Sequence, residues 1–130
     1  MNCLLDTNFV IGLLRGAVSY WDYLDELLES ALPSLSAITR AEILAGCHPD
    51  EEGATRALLD SFLTIPIDVA IADLAGRYVY QFARRGVTVH LEDALIAATT
   101  VRDGLVLVTG NVRHFPMLSV GKNLIQFPST

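Results

Sequence analysis

The chain has 130 residues, 52% of them hydrophobic and 18% charged, with a formal net charge of −6. That length suits one compact domain over residues 1–130, and that hydrophobic content excludes a disordered chain. The acidic balance excludes a basic footprint for non-specific nucleic-acid binding, but acids gathered at a metal would make net charge a poor guide to partners.

Residues 2–5 read as a short buried strand that runs straight into Asp6. A helix is expected from about Thr7 to Arg15, ended by Gly16, and a second from Tyr20 to about Ser30, opened by the capping-box pattern Ser19-x-x-Asp22. Pro33 breaks that helix, and Leu35 belongs to a very short strand. Thr39 to Ala45 is helical and stops at Gly46; Pro49 and the acids Asp50, Glu51 and Glu52 start another helix that runs to about Phe62. Leu63–Ile67 reads as a strand. Ile71, Leu74, Ala75, Tyr78, Val79 and Phe82 then recur at helical spacing, with Arg84 and Arg85 in the last turn and Gly86 just past it. Leu91 to Arg102 is helical and apolar almost all round. Asp103–Gly104 turns the chain into the apolar strand Leu105–Val108, and Asn123–Phe127 reads as a last edge strand. Short apolar strands alternating with helices predict an α/β sandwich around a central parallel sheet.

Other classes find no support. Cys3 and Cys47 form no CxxC, and His48, His90 and His114 stand apart, so no zinc spacing exists. The start lacks a basic leader before Asp6, and no apolar run approaches the ~20 residues of a membrane span. The expectation is a soluble cytoplasmic protein with no membrane partner.

Three acids have innocent local explanations. Asp6 follows a strand and precedes a helix, where Asp is a favoured N-cap. Thr39-x-x-Glu42 is a capping box on its face, and Asp93 lies in a first helical turn, where the helix dipole favours a carboxylate. Taken singly, each reads as structural. Taken together they differ, because strand carboxyl ends lie on one edge of a parallel sheet, and ligands bind there at the switch in strand order. Asp6 and Glu42 each follow a strand, and Thr109, Gly110 and Asn111 follow another. Asp93 sits in an Ala-rich helix whose close packing would bury it. Three neighbouring carboxylates raise each other's pKa, and a divalent ion relieves that conflict. Oxygen donors with retained waters suit Mg²⁺ or Mn²⁺, and such a site would activate water against a phosphodiester.

The stretches LLDTNFVIGLL (4–14), TRAEILAG (39–46), LEDALIAATT (91–100) and LVTGNVRHF (107–115) together resemble the PIN-domain family, and more narrowly its VapC-type toxins. The resemblance runs end to end. It implies a three-layer α/β/α sandwich, a homodimer, a cognate antitoxin protein and a metal-dependent endoribonuclease that cuts RNA. It further implies that Asp6, Glu42 and Asp93 hold Mg²⁺ or Mn²⁺. Asn111 matches the family's fourth position, where its role would run through a water or a second ion. Thr7 and Thr109 match supporting hydroxyls, and Asn8 matches an Asn that holds the loop after the first strand. His114 stands where many relatives have another acid. Glu92 is expected to face away from the cluster, since helical neighbours point about 100° apart.

Other residues stay open between roles. Arg113 is a candidate RNA contact, Arg40 could approach the site or stay solvated, and His90 and His114 read as surface or packed before they read as proton carriers. Tyr20 and Trp21 are adjacent on one helix and cannot both face one core, so one of them is expected to meet a partner. A haloacid-dehalogenase type of site is disfavoured, because Asn8 replaces the second Asp of its motif and the one lysine is Lys122. A receiver domain lacks its middle-strand Asp. The alternatives retained are a PIN nuclease of RNA processing and a non-catalytic α/β module whose acids are caps.

Overall fold

The computed structural model describes residues 2–129. Its elements are β1 (Asn2–Leu5), α1 (Thr7–Leu14), α2 (Val18–Leu28), β2 (Leu32–Ser36), α3 (Ala37–Ala45), α4 (Glu52–Asp60), β3 (Leu63–Ile65), α5 (Val69–Ala83), α6 (Leu91–Arg102), β4 (Val106–Thr109) and β5 (Leu124–Gln126). Short 3-10 turns occupy Pro49–Glu51 and Val112–His114. The five strands form one parallel sheet in the order β3-β2-β1-β4-β5. Strand order reverses between β1 and β4, which opens a crevice beyond their carboxyl ends.

Alternation along β1 builds two cores. Cys3 and Leu5 face a cluster with Phe9, Val10 and Leu13 of α1, Leu24 and Leu27 of α2, Ile43 of α3 and Leu59 of α4. Leu4 faces the other way, to Ile96 and Ala97 of α6, Leu107 and Phe115. Further out, Ile71 and Ala75 of α5 pack on Ala94 and Ala98 of α6. Small residues on α6 let α5 lie close, which explains why that helix is apolar nearly all round. The result is the expected α/β/α sandwich. Burial pushes the Cys3 thiol up to about 11, as an inert core cysteine requires.

Several element boundaries differ from expectation for physical reasons. Pro33 lies inside β2 instead of ahead of it; the first β2–β3 partners are Ser34 and Leu63, so on that side no ladder bond is lost. Ser19 does not cap α2, whose N-cap is Ala17 with no side-chain bond. Thr39 does not cap α3 either: Ser36 does, accepting from Ile38 N–H at 3.2 Å. The helix expected from Pro49 to Phe62 is a 3-10 turn followed by α4, and β3 ends at Ile65, before Pro66. Gly86 behaves as expected: at φ +78° it closes α5, with Val87 N–H on Phe82 O at 2.9 Å and Gly86 N–H on Ala83 O at 3.0 Å. Among the described residues no helix is long and apolar enough to cross a membrane.

Candidate functional site

The crevice between β1 and β4 collects side chains from four places. Asp6 follows β1, its backbone N–H bonded to Val108 O of β4 at 3.0 Å. Its side chain is only 4% exposed, yet both carboxylate oxygens have donors. Thr7 N–H donates to Oδ1 at 2.8 Å, and the Thr109 hydroxyl donates to Oδ2 at 2.6 Å. Thr109 in turn accepts the Asn111 N–H at 2.9 Å, so the turn after β4 is tied to the same carboxylate.

Glu42 reaches the crevice from α3. The Thr7 hydroxyl donates to its Oε1 at 2.8 Å and also meets Thr39 Oγ1 at 3.0 Å. Thr7 has one proton, which lies toward Glu42, so Thr39 donates to Thr7. The apparent capping box is therefore a relay: Thr39 orients Thr7, and Thr7 orients Glu42. Asp93, in the first turn of α6, points in from the opposite core with its side chain 16% exposed. His114 Nδ1 stands 3.4 Å from Asp93 Oδ2.

These groups line a cavity of 190 Å³ with Asn8, His90, Glu92 and Asn111. Its electrostatics are those of crowded carboxylates. Burial pushes the Asp6 carboxyl up against the opposing help of Thr109, Thr7 and His114. Burial also raises Glu42, opposed by the Thr7 hydroxyl and reinforced by Glu92 and Asp6. Asp93 is pushed up to about 6, first by burial, with His114 opposing and Asp6, Glu92 and Glu42 adding repulsion. Among the described residues no three or more His, Cys, Asp or Glu side chains are arranged to hold a metal ion.

Every residue singled out in the sequence can now be placed. Asp6, Thr7, Asn8, Glu42, Asp93 and Asn111 share the cavity, and Thr109 stands behind Asp6. Glu92 lines it too, contrary to expectation, because the first turn of α6 presents both of its acids to the opening. Asn8, in the first turn of α1, is exposed on the rim of the cavity. Arg40 is elsewhere, paired to Asp60 at 3.0 Å between α3 and α4. Arg113 is exposed beside a neighbouring cavity shared with Asn111 and His114. His90 and His114 both line the carboxylate cavity; each lies three residues from a site residue in sequence, His90 from Asp93 and His114 from Asn111.

Comparison with known proteins agrees with this architecture. Residues 3–117 match the PIN domain family. The chain is 35% identical over 114 residues to Ribonuclease VapC10 of Mycobacterium tuberculosis, covering 88% of this chain and 86% of that one. It is 34% identical over 117 residues to Ribonuclease VapC19 of the same organism, covering 88% and 92%. A toxin–antitoxin complex from Klebsiella pneumoniae contains a chain that superposes with a TM-score of 0.80 at 26% identity, over 95% of this chain and 96% of that one. FitAcB from Neisseria gonorrhoeae superposes with a TM-score of 0.72 at 27% identity, over 88% and 91%. With its motifs, its sheet order and its sequence relatives in agreement, the chain belongs to the PIN domain family, alongside the VapC proteins.

Proposed function

We propose that this chain, acting as one domain, is a Mg²⁺- or Mn²⁺-dependent endoribonuclease and the toxin of a toxin–antitoxin pair. The observation that carries the reading is the convergence of Asp6, Glu42 and Asp93, from three separate elements, on one cavity at the carboxyl edge of β1 and β4. Helix capping accounts for one bond of Asp6, the N-cap of α1, but not for Glu42, because the cap of α3 is Ser36 and Glu42 points inward. The relatives called ribonucleases and the toxin–antitoxin complexes among the structural neighbours support the same reading.

The donor set fits a hard cation. Beside the imidazoles of His90 and His114, the cavity offers carboxylate, hydroxyl and amide oxygens and no thiolate. Asp6, Glu42 and Asp93 would hold it, and when bound it supplies an activated water and charge neutralisation at the phosphodiester. The remaining work belongs to the chain. Thr109 and the Thr7 N–H fix both oxygens of Asp6, so its carboxylate does not swing as charge builds. Thr7 holds Glu42 in the same way. Hydrolysis adds a water oxygen to phosphorus and breaks one P–O ester bond; one proton leaves the water and one reaches the departing oxygen. His114, 53% exposed beside Asp93, is placed to carry a proton between cleft and solvent. Asn111 presents an amide on the cavity wall, and Arg113 a cation on the approach for RNA phosphates.

Partners follow from the same reading. Trp21, Leu24, Leu28, Phe62 and Leu63 line an apolar groove between α2 and β3, suited to the apolar face of an antitoxin helix. Homodimerisation is proposed with it, and cytoplasmic location follows from the RNA substrate. The test begins with protein freed of any partner by denaturation and refolding, then incubated with total cellular RNA in Mn²⁺, Mg²⁺ or EDTA, with Asp93→Asn prepared identically. Discrete metal-dependent cuts that vanish in the variant support the proposal. No cuts, together with no calorimetric Mn²⁺ binding that distinguishes wild type from variant, would leave a non-catalytic module.

A further inference from the structure

A second cavity, of 460 Å³, adjoins the carboxylate cleft and has a different chemistry. Asn8 and Asn111 line both, so the two share a wall. Its far side is aromatic. Tyr20, from α2, lies so close on α1 that a Cβ at Gly12 would stand 2.5 Å from the ring; glycine at that position is what lets the ring settle there. Phe127 meets Tyr20 edge-on at 5.2 Å and stacks on Tyr23 at 4.1 Å, and Phe9 lies 5.4 Å from Tyr20, so the rings pack as one partly buried cluster against the core. Arg15, exposed at the end of α1, borders the same cavity and has no carboxylate partner among the described residues. Tyr20 is thus accounted for by this wall, while its neighbour Trp21 turns to the apolar groove.

An aromatic wall, an unpaired guanidinium and two flanking amides beside a hydrolytic cleft match one kind of ligand: a flat heterocycle attached to an anionic backbone. Proteins read single-stranded RNA in this way, by stacking splayed bases on aromatic rings and holding phosphates with arginine. An apolar peptide side chain would fill the wall and leave Arg15 without a counter-charge. We propose that this cavity is a nucleobase subsite: an unpaired base next to the scissile phosphate seats against Tyr20 and Phe127, and Arg15 holds the phosphate beyond it. The inference rests on the ribonuclease reading and adds to it a requirement for an unpaired base at one fixed position beside the cut.

The test uses oligouridylates that carry one 2-aminopurine, moved along the strand, with the full chain in EDTA so that nothing is cleaved. Wild type should quench the probe saturably. Tyr20→Phe should retain the quench, and the distant surface variant Tyr80→Leu should leave it unchanged. Tyr20→Leu should lose it and bind roughly ten-fold more weakly, as expected for the loss of one stacked base. Arg15→Gln, at an exposed position, should weaken binding and flatten its salt dependence. No quench at any position, or a quench that survives Tyr20→Leu with Arg15→Gln indistinguishable from wild type, overturns the subsite; a pocket made for a protein tail would give the first result. The same preparations with Mn²⁺ and cellular RNA separate the two claims. Cutting without quench removes the subsite and keeps the nuclease. Quench without cutting removes the nuclease and leaves an RNA-binding pocket.

Discussion

Asp6 and Asp68 each stand immediately before a helix, and by local pattern they are the same residue. Asp68 is exposed, and its Oδ1 accepts the Ile71 N–H at 2.9 Å, three residues on, as a helix cap does. Asp6 is buried; its Oδ1 turns back to the adjacent Thr7 N–H, and its Oδ2 reaches Thr109, a residue 103 positions away. Both aspartates are N-caps of the helices that follow them. Asp6 is in addition held by Thr109 after a neighbouring strand and shares its cavity with Glu42 and Asp93. The difference teaches that burial and long-range donors, more than the shared capping position, set apart the acid proposed for chemistry.

The sharpest way to break that comparison is activity. Asp6→Asn should lower metal-dependent RNA cleavage by roughly a hundred-fold or more, since it removes charge from the ion site, whereas Asp68→Asn should stay within experimental error in the same cleavage assay. Equal losses in the two variants would erase the distinction.

Thr109→Val tests the support behind Asp6. The change keeps the shape, leaves Oδ2 without its donor, and should reduce cleavage by roughly 10–100-fold, the usual cost of a lost ligand-orienting bond. Chemical denaturation should also show a loss of about 1–3 kcal/mol for the buried oxygen.

Acidity gives a third probe. The Asp93 carboxyl, raised to about 6 in the folded protein from 3.8, holds its proton more tightly folded than unfolded. Its contribution is therefore fully present below about pH 4 and is lost as pH rises through about 6. In EDTA, Asp93→Asn should flatten that fall and melt higher than wild type at pH 7, by on the order of 1 kcal/mol or a few degrees. Mn²⁺ should raise the wild-type melting temperature at pH 7 and move the variant less. Scanning calorimetry from pH 4 to pH 7 reads all of this, and parallel curves for the two proteins would contradict the crowding of the carboxylates.

The smallest effect belongs to the cap. Asp68→Ala should cost about 1 kcal/mol of stability and leave RNA cleavage unchanged.

Much of the molecule was legible before folding. Hydrophobic spacing located α5, an unbroken apolar stretch located α6, the apolar runs located β1 and β4, and Gly86 marked the end of α5, because each of these signals is carried by a few adjacent residues. Local capping patterns misled. Ser19-x-x-Asp22 and Thr39-x-x-Glu42 look alike, and neither is a capping box; Ala17 and Ser36 start those helices. The reason for Thr39 is tertiary, since its hydroxyl is turned to Thr7 across 32 residues. Glu92 was misread because the 100° rule fixes the angle between two side chains but not where the cavity mouth lies relative to them.

The sequence by itself determined the alternation of strands and helices, the family and the acids available for chemistry, since these rest on residue type, spacing and order. Only the tertiary structure decided which acids meet, which oxygens have donors, that His90, His114 and Glu92 join them, and that Tyr20 and Phe127 form a wall beside them. Those are facts of distance through space, and they arise when a parallel sheet reverses its strand order and brings residue 6 beside residue 109.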